Sequence, residues 1–224
     1  FLVSNFIQIL YGLVDLYIIG RYCNSAVITA VSVGSQVMHL VTVVITSLLM
    51  GTTVMISHGI GANDSQKIKK NIGNSTTFFT IFSVALCIIM LLFNNTLLKL
   101  LSVPEESLKE AKIYLVICFL GIPFITMCNL LSAILRGLGD SKTPMYFVAI
   151  ACIVNIVLDF LFIGILKLSA MGAALGTVIA QSISVFLGLL IIRRKKLNLN
   201  LSKSDFFLET FTLKKNFSVG IPIA

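Results

Sequence analysis

Two acidic residues stand where an acid is hard to keep. Of the nine Asp and Glu residues in the 224-residue chain, Asp64, Glu105, Glu106, Glu110, Asp140, Asp205 and Glu209 fall in polar stretches read as loops, whereas Asp15 and Asp159 interrupt long apolar runs. No Lys or Arg stands in mid-run to neutralise either one. A bare charge in hydrocarbon is expensive enough that each such carboxylate implies a proton, a bound cation or an aqueous cavity. Asp159 has company. Asn155 precedes it by four residues, which puts both side chains on one helix face a turn apart. In the next apolar run Thr177 and Gln181 repeat that spacing. The connector 166–172 is short, so the two helices are antiparallel neighbours, and Asp159 and Thr177 lie at comparable depth below it. Asn155, Asp159 and Thr177 can then present oxygens to one point, and a carboxylate, an amide and a hydroxyl together suit a hard cation. If Asp15 faces the same cavity the site holds Na⁺ or a proton, because two desolvated carboxylates relieve their repulsion by taking up positive charge. The plainer reading of Asn155 and Thr177 is that they join helices by hydrogen bonds. For Asp159 in that company it is the weaker reading.

Other reactive residue types are scattered. Cys23 lies beside a polar break and Cys87, Cys118, Cys128 and Cys152 lie within apolar runs, with no CxxC pair and no ligand cluster. They read as small buried hydrophobes rather than a metal site or a disulfide framework. His39 and His58 are isolated and read as polar contacts between spans. Gly137, Gly139 and Asp140 match the GxGD element of intramembrane aspartyl proteases, with Asp159 as the second acid of a proton-sharing pair. Against this, Asp140 lies between Arg136 and Lys142, where a turn accounts for both glycines. No serine elbow or HExxH element is present. The chain is read as a non-enzyme without a cofactor.

The elements that must position the two carboxylates follow from composition. Hydrophobic residues make up 57% and charged residues 12% of the chain, against about 25% charged in an ordinary soluble domain. A water-soluble globule needs a charged exterior, so the matching solvent is a bilayer. A hydrocarbon core of about 30 Å takes roughly 20 residues of helix. Apolar stretches of that order fall near 1–20, 31–59, 75–101, 113–135, 145–166 and 169–192, giving an all-α bundle of six transmembrane helices. A further run begins at 217–224. A membrane β-barrel would show alternating segments of about ten residues and is excluded. Gly172, Ala173, Ala174, Gly176 and Ala180 in the sixth stretch, and Gly34, Gly51, Gly59 and Gly61 in the second, suit close helix packing. Pro123 is expected to kink the fourth. Twelve of the 17 basic residues fall on one set of alternating loops, which makes that side cytoplasmic, together with the N-terminus and the segment 193–216. The run 193–196 reads as a stop-transfer anchor against anionic lipid, so the net charge of +8 requires no nucleic acid. Residues 205–217 mix Phe and Leu with charges and suggest an interfacial helix. The chain opens at Phe1 inside an apolar run and stops at Ala224 as another begins, which is what a piece of a longer polypeptide would show.

Several patterns occur in order along this frame: Tyr11-Gly-Leu-Val-Asp15 followed by Ile19-Gly20-Arg21; Gly59-Ile-Gly61-Ala62-Asn63-Asp64; Leu135-Arg136-Gly137-Leu138-Gly139-Asp140-Ser141-Lys142-Thr143-Pro144; Asn155-Ile-Val-Leu-Asp159; Met171-Gly-Ala-Ala-Leu-Gly-Thr177; and Gly220-Ile-Pro222-Ile-Ala224. Taken together they resemble the multidrug and toxic compound extrusion (MATE) transporters, within a larger group that includes flippases for lipid-linked saccharides. The resemblance implies twelve spans in two six-helix lobes, of which this chain is the first, and exchange of cationic lipophilic compounds for Na⁺ or H⁺ by alternating access in the cell membrane. It implies a coupling site made of Asp15, Asn155, Asp159 and Thr177, with Tyr11 and Gln181 lining the cavity. Its implied partners are a cationic or neutral lipophilic compound, membrane lipids and the C-terminal lobe of the same polypeptide. A flippase shares the architecture, but a cavity for anionic head groups would carry Arg or Lys within spans, and none is present.

Overall fold

The computed structural model describes residues 2–194, 202–207 and 209. The described chain is helical throughout, with α1 (Leu2–Tyr22), α2 (Ser25–Gly61), α3 (Ser65–Leu100), α4 (Glu105–Leu120), α5 (Ile122–Gly137), α6 (Lys142–Asp159), a π-helical turn (Phe160–Ile165), α7 (Ser169–Arg194) and a 3₁₀ turn (Lys203–Phe206). Four of the described helices are long and apolar enough to cross a membrane, counting α6 with its π turn, or five if the bent pair α4–α5 is one span. The expected interfacial helix at 205–217 lies mostly outside the described residues, and the run at 217–224 wholly so.

The helices run past the apolar stretches, because helix ends are set by capping and not by hydropathy. Only residues 62–64 separate α2 from α3. Asn24 caps α2, accepting from the Val27 N–H at 3.0 Å. Asp64 caps α3, accepting from the Lys67 N–H at 3.0 Å and pairing with the Lys67 ammonium at 3.0 Å. These two contacts, the backbone one first, hold the Asp64 carboxyl below the usual carboxylate range. Glu105, Glu106 and Glu110, read from the sequence as loop residues, stand in the first two turns of α4. There acidic side chains complement the helix dipole. The kink expected at Pro123 is a break at Gly121, two residues earlier, where α4 and α5 meet at 48°. Proline lacks the N–H that a continuous helix would use, so it sits in the first turn of the new helix. Gly139, at φ 85°, makes the turn into α6, and Asp140, just ahead of the helix, accepts from the Thr143 N–H at 3.0 Å.

The core is a continuous apolar cluster whose largest fully buried side chains include Phe119, Ile19, Ile45, Leu49 and Ile122. Helix α2 packs on α4 and α5, α3 on α5, α7 on α4, α5 and α6, and α1 on α6. Small residues allow these approaches. A Cβ on Gly34 would enter the Tyr114 ring, and one on Gly121 would come within 2.5 Å of Val178. Gly61, by contrast, borders open space. His39 and His58, expected between spans, both sit on exposed positions of α2. The 3₁₀ turn lies against α3: Thr77 donates to the Phe206 carbonyl at 2.8 Å, Asn74 donates to the Phe207 carbonyl at 3.2 Å, and Gly73 abuts the Asp205 backbone.

Candidate functional site

The meeting of α1, α6 and α7 brings Asp15, Asn155, Asp159 and Thr177 together. Asp159 is the last α-helical residue of α6, and the chain widens into the π turn directly after it. Such turns recur beside functional side chains because one backbone hydrogen bond is displaced there. Tyr22 of α1 meets Phe160 edge-on, with ring centroids 6.2 Å apart, and also lies against Gly164. That contact fixes α1 to the π turn and carries Asp15 toward Asp159.

Both carboxyl groups are buried, Asp159 at 0% and Asp15 at 9% exposure, and they lie within hydrogen-bonding reach of each other. Neither takes part in an ion pair among the described residues. One oxygen of each, Oδ1, has no hydrogen-bond partner. Two abutting anions out of water repel each other and lose hydration, so the pair is stable only with positive charge between them, as a shared proton or a small cation.

Asn155, 2% exposed, is oriented by its neighbours. With its amide turned to satisfy both ends, the nitrogen donates to Asp159 Oδ2 at 2.8 Å and the oxygen accepts from the Thr177 N–H at 3.1 Å. The amide therefore holds one carboxylate oxygen and leaves the other free. This differs from the three-oxygen cluster expected from spacing, since the Asn155 oxygen is turned to the backbone. The Thr177 hydroxyl donates to its own helix at the Ala173 carbonyl, 3.1 Å away, and lies 3.4 Å from the Asn155 amide. The free Asp159 Oδ1 rests against Gly176, where a Cβ would collide with it. Gly176 thus makes the space for the carboxylate, a role that its small-residue neighbourhood did not reveal.

Tyr114 of α4 is a buried polar contact that sequence reasoning missed. Its hydroxyl is 3.0 Å from the Ser35 hydroxyl, and its ring fills the space beside Gly34. An aromatic residue in an apolar run carries no spacing signal, so nothing in the sequence singled it out. Gln181 is half-buried on α7 and makes no hydrogen bond among the described residues. The Tyr11 side chain lies outside the described residues. No group of three or more His, Cys, Asp or Glu side chains comes together among the described residues. Asp140, the proposed partner of Asp159 in a protease, is at the opposite end of α6, about 28 Å away along the axis. It is occupied by Thr143, whose hydroxyl donates to it at 2.6 Å. That pairing is excluded.

A helical, multi-pass membrane protein with a buried carboxyl pair between its first and later spans is the class these features define. The profile of the MatE family matches residues 1–161, and the chain belongs to that family. It is 32% identical over 196 residues to the probable multidrug resistance protein YpnP of Bacillus subtilis (strain 168), covering 88% of this chain and 44% of that protein. It is 31% identical over 199 residues to the probable multidrug resistance protein YoeA of the same organism, covering 87% and 43%. Its fold superposes on a solved multidrug resistance MATE family transporter of the MOP superfamily in an outward-facing conformation. The TM-score there is 0.90 at 25% identity, over 99% of this chain and 49% of that one. The chain spans about half the length of the relatives it matches. Members of the family are transporters, not enzymes.

Proposed function

We propose that the chain is the N-terminal lobe of a secondary active efflux transporter. In this reading it exchanges cationic lipophilic compounds for Na⁺ or H⁺ by alternating access, and Asp15, Asn155, Asp159 and Thr177 form the ion-coupling site. Residues 1–192 would supply six of twelve spans: α1, α2, α3, the bent pair α4–α5, α6 with its π turn, and α7. Residues 193–216 would be a cytoplasmic connector, and 217–224 the start of a seventh span. The coverage of about half of each relative supports that division, and the distribution of basic residues supports a cytoplasmic N-terminus.

The observation that carries the reading is the buried contact of Asp15 with Asp159, each with an unpartnered oxygen. With the cleft open outward, Na⁺ or H⁺ reaches the pair and neutralises it. Neutralisation lowers the penalty for a dry, repacked lobe and weakens its attraction for a cationic compound. The compound leaves outward, and the lobes close to face inward, where the ion is released.

The test follows a fluorescent cationic dye into everted vesicles carrying the intact transporter under an imposed Na⁺ or pH gradient. Wild type is compared with Asp159→Asn at matched expression. One gradient should drive uptake in wild type, and the variant should fall to the level of empty vesicles. Wild-type rates in the variant, or no dye movement under either gradient, would overturn the proposal.

A further inference from the structure

The segment that follows α7 is fastened to a helix that α7 does not touch. Among the described residues α7 packs on α1, α2, α4, α5 and α6 and not on α3, whereas the 3₁₀ turn Lys203–Phe206 packs on α3 alone. The sequence of α3 provides for it. No charged residue lies between Lys70 and Lys99, and the polar run 71–77 stands at the Lys-rich end of that stretch. Three residues of the run, Gly73, Asn74 and Thr77, share one helix face. A Cβ on Gly73 would collide with the Asp205 backbone, so glycine is what admits the turn so closely. The Asn74 amide, 1% exposed, donates to the Phe207 carbonyl at 3.2 Å. Thr77 departs from its neighbours. Thr76 and Thr80 each donate back to their own helix at 2.7 Å, as helical threonines commonly do. The Thr77 hydroxyl is 3.2 Å from the Gly73 carbonyl but 2.8 Å from that of Phe206.

The turn is shaped before it docks. The Ser202 N–H and hydroxyl donate to the Asp205 carboxylate at 2.8 and 3.1 Å, and the Asp205 N–H donates to the Ser202 carbonyl at 3.0 Å. The carbonyls of Phe206 and Phe207 face α3, while both residues leave their other side exposed. Glu209 pairs with Lys70 at 3.8 Å. That surface contact carries little energy, but it continues the same line along α3. Asn74 and Thr77 stand where the apolar stretch of α3 begins, and a donor deprived of its acceptor there finds few replacements.

We propose that the 3₁₀ turn, with Phe207 and Glu209, is a fixed strap by which α3 holds the chain that leaves α7. Gly73, Asn74 and Thr77 grip its main chain, so the polypeptide departs from this lobe beside α3 and not beside the end of α7. The strap joins two helices that otherwise lack contact, and it stays fastened while the coupling site changes state. That last clause rests on the efflux reading; the grip itself does not.

The test uses the intact transporter freed of reactive native thiols and carrying Lys70→Cys with Glu209→Cys, two half-exposed positions. A short bifunctional methanethiosulfonate joins the pair, and peptide masses report the bridge. The bridge should form in most molecules, and bridged protein should move the cationic dye at the unbridged rate. Adding Thr77→Val, alone or with Asn74→Leu, should slow bridging severalfold. Failure to bridge, or a bridging rate that the added substitutions leave unchanged, overturns the strap. Loss of dye movement on bridging shows that the segment must unfasten and overturns its being fixed. Unbridged protein that moves no dye overturns the efflux reading, and the bridging rates still decide the grip.

Discussion

Two of the sets of polar side chains among the described helices are finished differently. Where α2 meets α3 and α5, Thr52 and Ser75 share a hydrogen bond of 3.1 Å, Thr53 donates to the Ala133 carbonyl at 3.2 Å, and Ser57 donates to the Gly137 carbonyl at 3.1 Å. Those groups are neutral and matched, and they join helices as polar residues in membranes commonly do. Where α1 meets α6 and α7, Asp15 and Asp159 abut with an unpartnered oxygen on each. Matched neutral pairs hold one packing in place. An unmatched pair of acids makes the packing depend on what binds it, and that dependence is what a coupling site requires.

The contrast can be broken most severely at Gly176. Gly176→Ala should push Asp159 Oδ1 aside and lower gradient-driven dye transport on the order of tenfold. Gly20→Ala, where nothing lies within 4 Å, should leave it unchanged, and uptake rates at matched expression compare the two. Removing one member of the matched set comes next. Thr52→Val and Ser75→Ala each remove the buried hydrogen bond between the two hydroxyls, and each should reduce stability by about 1–2 kcal/mol. Thermal unfolding in detergent reads both, and transport should persist in each. The smallest effect lies outside both sets. Asn24→Ala removes the α2 cap and should cost about 1 kcal/mol, with dye transport unaltered.

The carboxyl pair was legible because an acid in an apolar run is conspicuous whatever surrounds it, and Asn155 was legible because four residues separate it from Asp159. Thr177 followed from the shortness of the 166–172 connector. What escaped depends on contacts across helices. Gly176 looks like any packing glycine until Asp159 is seen against it, and the direction of the Asn155 amide depends on a backbone N–H one helix away. His39 was read as lying between spans, since spacing says a residue is polar but not which face has neighbours. The helix ends at Ser65 and Glu105 were hidden for another reason. Their first turns are polar, and hydropathy registers membrane depth rather than helix.

The central claim is that Asp15 and Asp159 together bind the coupling ion, and ion-dependent stability tests it most directly. The intact transporter, purified in detergent without any drug, is unfolded thermally across a series of Na⁺ concentrations at constant ionic strength, and across a series of pH values. An ion that binds only the folded state stabilises it by about 2.7 kcal/mol at a hundredfold excess over its Kd. Wild-type Tm should rise with Na⁺ or with acidification, and that rise should be lost in both Asp15→Asn and Asp159→Asn. The same ion-dependent rise in both variants as in wild type would contradict the account.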